Sequence, residues 1–196
     1  MLHRLVRMPI STLTLIDGDK VEECNLERQP LFAPADIGHY KVDVAHGWLR
    51  LVSRADLRTL KGFVDAANVE FFLKDHDMVL EGVDDLHAKQ LIDAACGKLG
   101  IPLISGAVHQ QQGQVLVTHV SGAGQEIARK DLFTGRAGME QDGCDMRQVP
   151  LEVLEETGRA MVGRARSIML GESVVNGRIE LYDGAKQSWM VIEPPR

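Results

Sequence analysis

Cysteine is scarce in this chain. Only Cys24, Cys96 and Cys144 occur in 196 residues, an odd and widely spaced set. They supply neither a disulfide framework nor a Cys-x-x-Cys pair, and Cys24 and Cys96 read as free thiols of a reducing compartment. No apolar run approaches the roughly 20 residues a membrane-spanning helix needs. The stretch Met1-Leu-His-Arg-Leu-Val-Arg-Met8 is basic, but the apolar core of a secretory signal does not follow it, so a cytoplasmic protein is expected. Concentrated positive charge is also missing. The formal net charge is −6 and the Lys and Arg residues are dispersed, which argues against nucleic acid and for a small-molecule or protein partner. Internal repeats and low-complexity segments are absent.

What is present is ordinary for a globular chain: 44% hydrophobic and 26% charged residues in a length that suits one domain, 1–196. β-Branched content predicts a strand over Thr12 to Ile16, and apolar spacing predicts a helix over Lys41 to Val52. A short strand within Asp56 to Val64 and a short helix over Ala66 to Leu73 follow. The run Met78 to Glu81 reads as a buried parallel strand, Leu86 to Leu99 as a helix stopped by Gly100, and Ile101 to Ser105 as the next strand. This alternation points to a doubly wound parallel α/β sheet. The second half differs. Gln114 to Val120 reads as a strand, 121–148 as a long Gly-rich loop, Leu151 to Leu170 as a helix with Met161 and Met169 in the core, and Arg178 to Tyr182 with Ser188 to Ile192 as a hairpin across Asp183-Gly184.

The chemistry gathers after the first strand, in Asp17-Gly-Asp19-Lys-Val-Glu-Glu-Cys-Asn25-Leu-Glu-Arg28-Gln29. A strand closed by a carboxylate offers an acceptor to a ribose hydroxyl at the mouth of a ligand crevice. Asp-x-Asp, Asn-Leu-x-Arg-Gln, Ala35-Asp-Ile-Gly38 and Lys41-Val, in this order, resemble the ThiF/MoeB/HesA family, bacterial relatives of ubiquitin-activating enzymes. Val79-Leu-Glu-Gly-Val-Asp84-Asp85, Ile101-Pro-Leu-Ile-Ser-Gly-Ala107, Gly113-Gln-Val115 and Gly177-Arg-Ile-Glu-Leu-Tyr-Asp183 extend the resemblance through most of the chain.

The resemblance implies a Rossmann-like three-layer fold, with parallel strands in the first half and antiparallel strands at the C-terminal end. It also implies transfer of AMP from ATP to the C-terminal carboxylate of a small ubiquitin-like or sulfur-carrier protein, commonly by a homodimer. Asp17 and Asp19 then match the acidic pair at the ribose. Arg28 and Lys41 are the phosphate cations, one a planar fork and the other a point charge. Asn25 and Gln29 either hydrogen-bond the nucleotide or cap the local turn. Asp84 matches the family's Mg²⁺-associated aspartate. Cys144 stands at a distance from the late helix similar to that of a cysteine that captures the activated carrier, but the residues after it depart from the family's run, so an incidental loop thiol stays open. The family's zinc-binding Cys-x-x-Cys pairs are missing, and no structural zinc is expected. His109 and His119 lack metal-ligand spacing and read as surface or hydrogen-bonded residues.

Members normally carry a Gly-rich phosphate loop upstream of this strand. Here about a dozen residues precede it, fewer than a strand, loop and helix require. The expectation is an N-terminally truncated domain that binds ATP weakly, with roughly 25–30 further residues encoded upstream to complete the βαβ unit. Two other readings stand beside this one: a catalytically impaired partner subunit of the same fold, and an NAD-dependent oxidoreductase. The phosphate cations after the strand argue against the latter. A relative that dehydrates a modified tRNA gains no support from the acidic balance.

Overall fold

The computed structural model describes residues 1–133 and 149–195, which fall into two compact units, Met1–Phe63 and Val64–Arg196. In the first unit a short helix α1 (Leu2–Leu5) precedes β1 (Thr12–Ile16), α2 (Lys41–Val52) and β2 (Asp56–Leu60). β1 and β2 pair in parallel, Thr12 opposite Asp56 and Ile16 opposite Leu60. α2 packs on these strands through Val42, Ala45 and Leu49, which are buried and recur at helical spacing. Between β1 and α2 lie two 3₁₀ turns, Glu23–Asn25 and Pro34–Asp36.

The second unit begins with α3 (Val69–Leu73), β3 (Val79–Glu81), α4 (Leu86–Leu99), β4 (Leu103–His109) and β5 (Gln112–Thr118). A one-turn helix α5 (Arg129–Leu132), a long helix α6 (Leu151–Met169) and the hairpin β6 (Ile179–Asp183) and β7 (Ser188–Ile192) complete it. The strands form one sheet in the order β3-β4-β5-β6-β7; only β3 and β4 are parallel, and the other pairs are antiparallel. The protein is thus an α/β fold with parallel pairing early and antiparallel pairing late. Val69 and Leu73 of α3, Ile92, Ala95 and Cys96 of α4, and Ile101 and Leu103 make one core cluster. α6 lies on β4, β5 and β6 and buries Val153, Met161, Val162 and Ala165. It approaches closely because residue 106 has no side chain: a Cβ there would overlap the Met161 sulfur.

Several boundaries differ from expectation. β4 runs on to His109 and β5 starts at Gln112, because antiparallel pairing carries Gly106, Gly113 and polar residues that lack strand propensity by themselves. Part of the expected loop, Arg129–Leu132, is a helical turn too short to leave a period. Met161 is core as expected, but Met169 is not: it ends α6 and is 43% exposed.

Candidate functional site

The acidic pair sits where β1 leaves the sheet. The Asp17 N–H donates to the Leu60 carbonyl at 3.2 Å, adding one rung past the end of the ladder. The Asp17 carboxylate then accepts the Asp19 N–H at 2.7 Å, which folds the chain back sharply. Gly18 lies against the Phe63 ring, where a Cβ would come within 2.6 Å; that ring is 69% exposed and can swing aside.

Lys41 comes to the same turn from the other direction. Its backbone N–H donates to the Asp19 carbonyl at 3.0 Å, and its Nζ lies 2.8 Å from Asp19 Oδ2. The lysine side chain is 15% exposed and the aspartate 52%. The structure therefore brings together Asp17, Asp19 and Lys41. Nearby, Tyr40 carries Lys20 and Lys61 over its ring at 5.2 and 5.0 Å.

The cluster 22–29 is a tight turn. Asn25 is buried, its side-chain oxygen accepts the Glu22 N–H at 2.9 Å, and its carbonyl accepts the N–H groups of Arg28 and Gln29. Its side chain therefore holds the loop. Arg28 and Gln29 are half-buried at the end of that turn.

Asp84 belongs to the second unit, in the turn from β3 to α4. It is exposed and makes no hydrogen bond with the described residues. Its neighbour Asp85 caps α4, accepting the N–H groups of His87 at 3.3 Å and Ala88 at 2.7 Å. No group of three or more His, Cys, Asp and Glu side chains suited to a metal occurs among the described residues. Mg²⁺ in nucleotide sites is usually held by one or two carboxylates plus substrate phosphates and water rather than by a protein cage, and Asp84 offers one such carboxylate. Cys144 lies outside the described residues.

Sequence reasoning missed a buried polar network in this unit. Glu81, the last residue of β3, accepts from Lys89 Nζ at 2.9 and 2.8 Å, from the Val83 N–H at 3.0 Å, and from the Ser105 hydroxyl. Lys89 also donates to the Gly106 carbonyl at 2.8 Å, and Arg129 Nη1 donates to Ser105 Oγ at 3.1 Å. Burial pulls the Lys89 ammonium below its ordinary pKa, against the opposing pull of Glu81.

One turn along α4, Asp93 accepts from the His119 ring at 3.0 Å, the Thr118 hydroxyl at 3.1 Å and the Arg129 N–H at 2.9 Å. Burial pushes the Asp93 carboxyl up, but these hydrogen bonds and the His119 charge outweigh it and hold the carboxyl below its usual range. The sequence did carry a signal: Lys89 and Asp93, four residues apart, fall among the buried residues Ala88, Ile92, Ala95 and Cys96 of α4. Charges on an apolar helix face announce buried partners.

A sequence model of the ThiF family matches residues 1–196. The chain is 32% identical over 109 residues to the molybdopterin-synthase adenylyltransferase of Escherichia coli (strain K12), a match covering 55% of this chain and 44% of that protein. It is 32% identical over 183 residues to the adenylyltransferase and sulfurtransferase MOCS3 of Anopheles gambiae, covering 92% of this chain and 41% of that one. It therefore spans less than half the length of these curated relatives. Among solved structures, E. coli MccB with ATP superposes with a TM-score of 0.80 at 15% identity, covering 100% of this chain and 60% of that chain. At that identity the likeness speaks for the fold.

Proposed function

The chain belongs to the ThiF family, and from that premise we propose that it takes part in ATP-dependent adenylation of the C-terminal carboxylate of a small ubiquitin-like or sulfur-carrier protein. The observation that carries the reading is the meeting of Asp17, Asp19 and Lys41 beyond the end of β1, where the 2.8 Å contact holds an ammonium next to an acidic turn. The two curated relatives described above are named as adenylyltransferases, one of molybdopterin synthase and the other also a sulfurtransferase, which favours a carrier of that kind.

In this reading a carboxylate attacks the α-phosphorus of ATP, an anion approaching a polyanion, and pyrophosphate leaves. The protein's work is then positioning and charge neutralisation. The Asp17 and Asp19 carboxylates accept from the ribose hydroxyls, and Arg28 and Lys41 neutralise phosphate oxygens. Asn25 holds the loop that presents Arg28, with Gln29 as a further donor to ribose or phosphate. Asp84 would hold Mg²⁺, which when bound would supply neutralisation of phosphate charge. Cys144 is kept as a candidate for covalent capture of the carrier. The reading extends to a single functional domain over 1–196 and to a cytoplasmic homodimer. Among the described residues no helix is long and apolar enough to cross a membrane.

Exchange of labelled pyrophosphate into ATP tests the proposal. Exchange that requires a carrier ending in a free carboxylate is expected, and NAD reduction with no exchange would overturn it. ATP binding without exchange would favour the impaired-partner reading.

A further inference from the structure

Asp84 is pinned on both sides while its own carboxylate stays exposed. Two residues on the N-terminal side of Val83, Glu81 accepts the Val83 N–H at 3.0 Å. On the C-terminal side Asp85 is fixed by its cap on α4. The Glu81 carboxylate is itself immobilised by Lys89, the Ser105 hydroxyl and, through Ser105, Arg129. Lys89 binds the Gly106 carbonyl as well, so it joins α4 to the strand beside β3. The side chains of Lys89 and Glu81 are 6% and 4% exposed.

Packing alone does not call for this arrangement. Well-packed apolar residues in place of a buried ion pair are often as stabilising or more so. An apolar pair would, however, leave the Val83 N–H without its acceptor and the turn without its tether. We propose that Glu81 and Lys89 are positioning residues that hold the backbone turn from which the Asp84 carboxylate projects and so set the affinity for the divalent cation of the nucleotide complex. The proposal rests on Asp84 being the metal-holding group.

The test uses Mn²⁺ as the probe, followed by electron paramagnetic resonance in the presence of α,β-methylene ATP. It compares the wild-type chain, Asp84→Asn, and the double variant Glu81→Leu/Lys89→Met, which removes the pair together and leaves no lone buried charge. The double variant is expected to melt near the wild-type temperature and to bind the metal-free nucleotide normally. It should bind Mn²⁺ about 10-fold more weakly, the usual effect of removing a group that orients a metal ligand. Amide hydrogen exchange at Val83 should quicken in step. Wild-type Mn²⁺ affinity in the double variant, with Asp84→Asn impaired, would overturn the positioning role alone. Equal Mn²⁺ binding by the wild type and Asp84→Asn would overturn the Asp84 assignment and the positioning role with it. A double variant that melts far lower and loses nucleotide affinity as well would mark the pair as core structure and also overturn the proposal.

Discussion

Lys41 stands where a cation is electrostatically unwelcome, in the first turn of a helix whose N–H groups point at it. Asp19 offsets that repulsion, but the pair is half exposed on the acidic side and is worth only about 0–1 kcal/mol to stability. Lys41→Ala should therefore fold and melt close to the wild type. If Lys41 and Arg28 neutralise phosphate in the transition state, each alanine variant should lose roughly 10²–10³-fold in pyrophosphate exchange. Unchanged exchange in both would remove them from the chemistry. Asp93 makes the opposite case, a charge whose contribution lies in folding. Its carboxyl is held below the unfolded value, so its stabilisation is present above the unfolded pKa and fades as pH falls through the lower folded one. Asp93→Asn should destabilise the protein at pH 7 and flatten the decline in stability below about pH 4. Parallel acid-denaturation curves for the two proteins would contradict this.

Elements with a strong local signal were legible in the sequence. The strand Thr12–Ile16 and the helices Lys41–Val52 and Leu86–Leu99 were expected at those bounds, because β-branched content or apolar periodicity runs their full length. Less legible were β4 and β5, whose outer residues are held by partners rather than by propensity. The short helix at Arg129 was invisible, since its backbone N–H is anchored by Asp93, distant in sequence. For the candidate site, the acidic turn and Lys41 could be read from motif order, while the pairing of Glu81, at the end of an expected buried strand, with Lys89, on the apolar face of an expected helix, could not, because Ser105 and Gly106, which complete the network, come from β4. α4 also shows how much one end group contributes. Asp85→Ala should lower stability by ~1 kcal/mol through loss of the cap on His87 and Ala88, measurable as a shifted urea midpoint with little change in slope. A shift of a few hundredths molar would mean that water replaces the carboxylate at little cost.

At the scale of the whole molecule, each compact unit carries its own sheet and, among the described residues, one thiol. Cys24 in the first is partly accessible, and Cys96 in the second is fully buried between α4 and its core neighbours. Burial, with the charges of Asp93 and Glu81, pushes the Cys96 thiol up to about 12, so at pH 8 it is both shielded and protonated. Cys96 is in consequence a built-in clock for breathing of the second unit. A thiol reagent can reach it only in the instants when the core parts, and its labelling rate in a Cys144→Ser background should rise steeply with urea. Cys24 should react at once and hardly respond to urea. Equally fast modification of both in native buffer would refute the tight core. If the clock slows when ATP is added, it registers the occupied state of the protein through a residue that no ligand touches.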